Sequence, residues 1–223
     1  MPLTNLHTRV VSCSRCPRLR EWCITREGAE KRYEGEPYWG KPVPGFGPGN
    51  SEVLILGLAP GAHGANRTGL PFTGDSAGGF LYEALERHRF IDRNAPVEME
   101  AVLKLKNVYI TNAVKCAPPD NKPVASEFSA CRPFLEEEIR LLDNCKVILA
   151  LGGKAFAEAK KVLREMGAEV KGLKFTHGGI HRFGTKLPVL ISSYHTSQYN
   201  ISTKRMTADK FDEVLKMVKD VLE

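Results

Sequence analysis

The sequence has no apolar run of the roughly 18–20 residues that a membrane-spanning helix requires, so we expect no membrane partner. Its first residues, MPLTNLHTRVVSCSRC, lack the apolar segment of a secretory signal peptide, and this predicts a cytoplasmic location. It contains no internal repeat and no low-complexity tract, which argues against a solenoid or a largely disordered chain. With 42% hydrophobic and 26% charged residues, the 223-residue chain instead has the composition of a globular protein.

The balance of charge is basic, with a formal net charge of +6 and a pI of about 9.0. Because Lys and Arg side chains release counterions when they contact phosphates, a basic chain favours a polyanionic partner such as nucleic acid. A basic cytoplasmic protein without such a partner is the alternative that charge alone leaves open.

Short apolar runs alternate with amphipathic segments from residue 53 onward. The runs at residues 53–58, 108–114, 147–151 and 188–192 resemble strands that are buried on both faces. Helices are predicted at residues 76–88, 126–142, 153–166 and 207–222. This alternation predicts an α/β fold, with a central four-stranded, mainly parallel sheet flanked by helices on both faces. Ligands of such sheets bind beyond the carboxyl ends of the strands.

The first fifty residues show neither pattern. They combine Cys13 and Cys16 with a Gly/Pro-rich run at residues 40–49, which holds too many breakers for a helix or a central strand. We therefore expect residues 1–50 to form an irregular arm that lies on the core of a single domain spanning residues 1–223.

Three segments at predicted carboxyl strand ends carry residues suited to chemistry. Residues 57–75 are rich in small side chains that let a ligand approach the backbone, but they match neither the dinucleotide fingerprint nor a P-loop. Asn112 lies in an apolar strand, where its amide requires a hydrogen-bond partner. His195 follows the last strand. Each feature alone has a structural alternative: a long connection, a buried polar network and a satisfied histidine, respectively.

The cysteines form a further candidate site. A disulfide framework is not expected in a cytoplasmic chain of this size, so metal binding or simple burial remains. Four thiolates could hold either a tetrahedral zinc ion or a [4Fe–4S] cluster, and the chemistry of the residues alone slightly favours zinc. The six cysteines are Cys13, Cys16, Cys23, Cys116, Cys131 and Cys145.

Taken together, these segments resemble the uracil-DNA glycosylase superfamily, and within it the iron–sulfur families 4 and 5, with closer similarity to family 5. The similarity rests on GLAPGAHGANRTGLPFTGD at residues 57–75, YITNAVKCAPP at residues 109–119 and a His-x-Ser-x-x-Asn block at residues 195–200. It covers nearly the whole chain. It implies that a [4Fe–4S] cluster of mainly structural role is bound by Cys13, Cys16, Cys116 and Cys131, which leaves Cys23 and Cys145 as buried apolar residues.

The resemblance also implies a function. The chain resembles monofunctional enzymes that flip a uracil out of DNA, hydrolyse its N-glycosidic bond and leave an abasic site in base excision repair. Hypoxanthine and related deaminated bases are further candidate substrates. Phe72 matches the position that stacks on uracil, and Asn112 the position that reads its edge. Backbone N–H groups of the turn that begins with Leu58 and Ala59 would assist.

Two side chains are the candidate catalytic residues. By the same resemblance, His195 would donate a hydrogen bond to uracil O2, and Asp75 would position water or stabilise the cationic sugar. Leu58 stands where family 4 enzymes carry a Glu, so the catalytic carboxylate must lie elsewhere, and Asp75 is the candidate. Thr196 stands where many relatives have Pro, which changes the stiffness of the loop more than its chemistry.

Other interpretations remain open at this point. Arg67, Lys204 and Arg205 flank the motifs and are either phosphate contacts or solvated surface charges. A non-catalytic iron–sulfur or zinc nucleic-acid-binding module would share the charge and the cysteines, as would a zinc-stabilised protein that binds small nucleotides. Excision of uracil from an oligonucleotide separates these classes. We expect a monomer, and the sequence does not identify a sliding clamp as a partner.

Overall fold

The computed structural model describes residues 2–91 and 104–223 of the chain. In these residues one five-stranded sheet has the order β2-β1-β3-β5-β4, with β4 antiparallel to β5 and the other pairs parallel. The strands are β1 (Val53–Gly57), β2 (Val108–Asn112), β3 (Val147–Leu151), β4 (Gly179–His181) and β5 (Val189–Ser193). The helices are α1 (Pro2–Val11), α2 (Pro17–Ile24), α3 (Ala65–Thr68), α4 (Ser76–Arg87), α5 (Ala125–Leu141), α6 (Gly153–Glu165), α7 (Gln198–Ser202) and α8 (Ala208–Leu222).

Helices cover both faces of the sheet, as predicted. Alternate residues of each buried strand point to opposite faces, so the strands contribute to two separate cores. On one face Leu54 and Leu56 of β1 pack with residues of α1, α2, α5 and α6. On the other face Val53 and Ile55 pack with residues of α4 and α8. The α/β prediction is therefore confirmed, and none of the described helices is both long and apolar enough to cross a membrane.

The prediction of four strands was wrong by one. The fifth strand, β4, has three residues, begins with a glycine and is only partly buried. It therefore lacks the continuous apolar run from which a buried strand can be recognised. Because β4 lies at the edge of the sheet, this difference leaves the parallel centre of the sheet unchanged.

The N-terminal arm is more regular than predicted. It contains the helices α1 and α2, where the sequence analysis expected irregular structure throughout residues 1–50. Leu6 and Val10 bury one face of α1, which packs on α5, and Pro17 begins α2 at a position where proline is favoured. These helices are too short to be stable alone, so tertiary packing decides their structure.

The Gly/Pro-rich run does lie on the core as an ordered loop. Phe46 and Ile110 exchange two backbone hydrogen bonds of 2.9 and 2.8 Å, so the loop covers the free edge of β2. A Cβ atom on Gly47, whose φ is +132°, would overlap the Val108 carbonyl oxygen. Only glycine permits this approach of the loop to the strand.

Candidate active site

A cavity of about 570 Å³ opens at the carboxyl ends of the parallel strands. Its volume lies within the range typical of small-molecule sites. Gly57, the last residue of β1, is directly opposite Asn112, the last residue of β2, so the segments that follow both strands meet at this edge. The cavity is lined by all six residues predicted to bind substrate or catalyse: Leu58, Ala59, Phe72, Asp75, Asn112 and His195.

Asn112 presents an unpaired amide oxygen in this cavity. Its side chain is only 2% exposed, and its buried Oδ1 has no hydrogen-bond partner in the described residues. A buried polar atom without a partner costs free energy that a folded protein normally avoids. The prediction that this amide needs a partner therefore stands, and the described chain does not supply one for Oδ1.

Phe72 forms an adjacent wall. It is buried and has a φ of +56°, in the left-handed region that a bulky residue seldom adopts. Strain of this kind costs on the order of 1–3 kcal/mol and is concentrated at functional sites. The ring stacks on the His195 imidazole, with centroids 5.8 Å apart and an angle of 28° between the planes. The strained backbone thus holds an aromatic face at the cavity.

Gly57 provides the space in which Asn112 and Phe72 come together. A Cβ atom at this position would overlap the Asn112 Oδ1 atom and lie 2.6 Å from the Phe72 ring. Real Cβ atoms essentially never make contacts this short. Glycine is therefore a steric requirement of the site, and the sequence motif alone does not reveal which atoms impose it.

Asp75 is fixed by one oxygen and leaves the other available. As the N-cap residue of α4, its Oδ1 accepts a hydrogen bond of 2.9 Å from the Gly78 backbone N–H. The Oδ2 atom faces Gly61 and Gly64, where there is no room for a side chain. The capping bond thus orients the carboxylate, while Oδ2 has no hydrogen-bond partner among the described residues.

His195 follows β5 after one residue and is held through its backbone. The Asn200 Nδ2 atom donates a 2.8 Å hydrogen bond to the His195 carbonyl oxygen, which closes the loop onto α7. Burial lowers the pKa of His195 below its usual 6.5, while the charge of Asp75 opposes this shift. The imidazole is therefore neutral near pH 7. Within the described chain neither ring nitrogen has a hydrogen-bond partner, so both are available to a ligand.

The three basic residues that were either phosphate contacts or surface charges differ in their surroundings. Arg67 is only 17% exposed at its side chain, and its nitrogens contact Glu36 at 2.6 Å and the His63 carbonyl oxygen at 3.0 Å. Arg67 therefore links the N-terminal arm to the segment after β1. It is neither a solvated surface charge nor a free phosphate contact, the two interpretations given from the sequence. Lys204 and Arg205 are exposed and lie outside the lining of the cavity, with Arg205 over the Tyr194 ring at 4.3 Å.

Four cysteines surround a second, much smaller cavity of about 20 Å³, which sits between the N-terminal arm, the connection after β2 and α5. They are the four predicted ligands, Cys13, Cys16, Cys116 and Cys131. Burial raises the pKa of Cys131 to about 12, and its Sγ accepts a 3.2 Å hydrogen bond from the Lys115 backbone N–H. No group of three or more His, Cys, Asp or Glu in residues 2–91 and 104–223 is arranged to hold a single metal ion.

The other two cysteines lie outside that lining. Cys23 is fully buried, as predicted, and its Sγ is 3.6 Å from the Ala117 carbonyl oxygen. The prediction for Cys145 was partly wrong, because this residue is only half-buried beside β3. It lies between Asn144 and Lys146, in the short connection from α5 to β3.

A buried ion pair adjoins the cysteine cavity. Lys115 Nζ lies 2.6 Å from Glu138 Oε2 and 2.5 Å from Thr111 Oγ1, and all three side chains are almost inaccessible to water. The pair joins the connection after β2 to α5. The sequence analysis missed it, since a lysine next to a cysteine in a loop gives no sign of burial.

Of the further cavity-lining residues outside residues 57–75, five carry a charge, an amide group or an aromatic ring and were also missed. Tyr199, in α7, is the most conspicuous, because 71% of it is exposed at the cavity although it is a large aromatic residue. Its position four residues after His195 was the available signal. The five residues are Arg32, Asn121, Lys154, Gln198 and Tyr199.

Comparisons with known proteins agree with this architecture. The family model of the uracil DNA glycosylase superfamily matches residues 44–219. A type-5 uracil-DNA glycosylase of Thermus thermophilus is 42% identical over 209 residues, which cover 92% of this chain and 92% of that protein. The type-5 enzyme of Pyrobaculum aerophilum is 38% identical, covering 97% and 96% respectively. A type-4 uracil-DNA glycosylase of the same organism is 33% identical, covering 78% and 70%.

Proposed function

Because the chain belongs to the uracil-DNA glycosylase superfamily, we propose that it removes uracil from DNA in base excision repair. The reaction is hydrolysis of the N-glycosidic bond of a flipped deoxyuridine, and the product is an abasic site. The single observation that carries this proposal is the buried, unpaired Oδ1 of Asn112 in a cavity at the carboxyl ends of the strands.

Asn112 discriminates uracil from cytosine. Uracil offers an N3–H donor and an O4 acceptor, which pair with the amide oxygen and the amide nitrogen of one asparagine. Cytosine presents an acceptor at N3 and a donor at N4, the reverse order. A cytosine would therefore leave Oδ1 unpaired in a desolvated cavity. Phe72, which lines the same cavity, supports the bound base by stacking on its face.

His195 and Asp75 act on opposite sides of the bond that breaks. The neutral imidazole donates a hydrogen bond to uracil O2, where negative charge develops as the base leaves. The backbone N–H groups at Leu58 and Ala59 line the same cavity and assist. Asp75 directs Oδ2 towards the sugar, where it positions water or stabilises the cation. Since these groups need no covalent intermediate, the enzyme is monofunctional.

We propose that Cys13, Cys16, Cys116 and Cys131 hold a [4Fe–4S] cluster. Four thiolates are the ligand set of such a cluster, and all four side chains line one cavity. Arg15, Arg20 and Lys115 line the same cavity, and their positive charges offset the negative charge of deprotonated thiols. A bound cluster would supply a cross-link between the N-terminal arm, the connection after β2 and α5.

The cavity volume also supports a substrate range beyond uracil. At about 570 Å³ it exceeds the needs of a pyrimidine, so we expect hypoxanthine to enter it as well. A non-catalytic nucleic-acid-binding module is the second candidate, and it would have no use for an unpaired amide in a closed cavity.

The test is excision from a 5′-labelled oligonucleotide with one uracil, followed by alkaline cleavage of the abasic site. We expect cleavage at the uracil position with the wild-type protein, and at least a tenfold slower reaction with Asn112→Ala, by the loss of one buried hydrogen bond to the base. Asn144→Ala is the matched control, because Asn144 is exposed and lies outside the cavity lining. Binding of the oligonucleotide without any cleavage would reject the enzyme and favour the binding module.

A further inference from the structure

A second groove runs beside the base cavity and shares a wall with it. Phe72, Asp75 and Gln198 line both spaces. On its far side the groove is bounded by Tyr33 and Pro37 of the N-terminal arm, and its volume is about 1,090 Å³. A base bound in the cavity would place its sugar near Asp75, so the DNA strand that continues from that sugar must pass the shared wall.

Arg32 is positioned at the junction of the two spaces. It belongs to a short 3-10 helix, Lys31–Tyr33, and it lines both the cavity and the groove. Its side chain is exposed, and its guanidinium lies 4.6 Å from the centroid of the Tyr33 ring. Within the described residues no carboxylate pairs with it. The guanidinium is therefore oriented by an aromatic ring and available to an external anion.

Arg67 lies next to Arg32 and helps to fix the Tyr33 ring that orients the Arg32 guanidinium. The Arg67 guanidinium lies 3.9 Å from the same Tyr33 ring and is itself held by Glu36 and by backbone carbonyl groups. The Tyr33 hydroxyl donates a 3.4 Å hydrogen bond to the Gly74 carbonyl oxygen, next to Asp75. Arg67 and Tyr33 thus fix the arm beside the site, and Arg32 is the cation they leave unpaired.

We propose that Arg32 binds a phosphate of the DNA strand next to the flipped nucleotide, and that the groove holds this flanking strand. The inference rests on the proposed function, since it places DNA relative to a base in the cavity. It gives the N-terminal arm a second task in addition to carrying two of the cysteines. Guanidinium and phosphate have matching donor and acceptor geometry, and the net charge of +6 favours such a partner.

The test compares Arg32→Ala with Lys31→Ala in binding to an oligonucleotide that carries a stable abasic-site analogue. Lys31 is exposed, lies in the same short helix and lines neither space, so its removal changes the net charge equally. We expect Arg32→Ala to weaken binding about three- to tenfold, the scale of one charged contact. The slope of log affinity against log salt should fall by about one. Lys31→Ala should bind as the wild type does.

Replacing single phosphates of the DNA by uncharged linkages identifies the phosphate that Arg32 contacts. Methylphosphonate linkages are introduced one at a time on either side of the abasic analogue. Wild-type affinity should fall at one adjacent linkage, and Arg32→Ala should lose nothing further there. Equal losses for Arg32→Ala and Lys31→Ala, or equal sensitivity of Arg32→Ala and wild type at every linkage, would overturn the inference. If the wild type bound this DNA but excised no uracil, the proposed function would fail while these comparisons would still decide the role of Arg32.

Discussion

Replacing His195 by Ala removes the only histidine ring that stacks on Phe72 in the described chain, together with two ring nitrogens that have no protein partner. In Asp75→Asn, by contrast, the amide oxygen can still accept from Gly78, while the negative charge is lost and the free carboxylate oxygen is replaced by an NH2 group. An oxocarbenium-like transition state needs little nucleophilic push, so stabilisation of the leaving base should dominate. We therefore predict that His195→Ala costs at least as much single-turnover rate as Asp75→Asn.

The expected magnitude follows from the preorganisation of the donor. His195 is fixed by the stack on Phe72 and by the bond from Asn200 to its carbonyl oxygen, so no reorganisation accompanies the reaction. Loss of one such donor costs about 10²–10³ in rate, or about 2.7–4 kcal/mol. His177→Ala is the matched control, because burial also lowers the pKa of His177 but this residue lies outside the cavity lining.

The assay is single-turnover excision of uracil between pH 5 and 9, with folding checked by circular dichroism. Because burial lowers the pKa of His195 below 6.5, the ring stays mostly neutral and keeps its single N–H donor as the pH falls from 8 to 6.5. The wild-type rate should not fall over this range. An inactive Asp75→Asn beside a nearly unaffected His195→Ala would refute the reasoning and assign the central role to Asp75.

The remaining predictions concern space, the cysteines and the buried ion pair. Gly57→Ala should reduce excision at least as much as Asn112→Ala, since its Cβ would overlap the amide oxygen, and a wild-type rate would contradict the packing. Anaerobically purified protein should contain roughly four irons, with Cys116→Ala losing them and Cys23→Ala retaining them; stoichiometric zinc would contradict the cluster. Lys115→Met should destabilise the protein by about 3–5 kcal/mol in denaturant unfolding, because Glu138 would remain buried without its cation, whereas the double variant with Glu138→Leu should recover much of the loss.

The central strands could be predicted because burial on both faces leaves a simple pattern. β3 was predicted with its observed bounds, and the end of β2 differed by two residues, since Ala113 and Val114 continue the apolar run beyond the sheet. β4 and the arm helices could not be predicted, because a three-residue edge strand and two short helices depend on contacts with distant segments. The periodicity of apolar residues indicates which segments are buried. β4, α1 and α2 are stabilised mainly by contacts with distant segments, which the periodicity does not show.

The candidate site was predictable in its residue types but not in its contacts. The motifs identified Asp75 and Asn112 as candidates. They do not reveal that Asp75 caps α4 or that the amide oxygen of Asn112 has no hydrogen-bond partner in the described residues. The roles of the charged residues were the least predictable feature of the site. Arg67 stood in a motif and proved to be engaged within the fold, whereas Arg32 stood outside every motif and lies at the cavity. Only the fold brings residue 32 to the edge of a site that begins at residue 57.

The connection after β2 explains why the two cavities occur in one compact fold. Asn112 and Cys116 are four residues apart, and between them Lys115 is anchored to Glu138 of α5, the helix that also carries Cys131. This ion pair fixes the connection together with the hydrogen bond from the Lys115 backbone N–H to Cys131 Sγ. The end of β2 that carries Asn112 is therefore anchored to α5 by Lys115 and Glu138, whereas the proposed cluster would tie down the N-terminal arm. Since the arm carries Arg32, loss of the proposed cluster should weaken DNA binding before it disturbs recognition of the base.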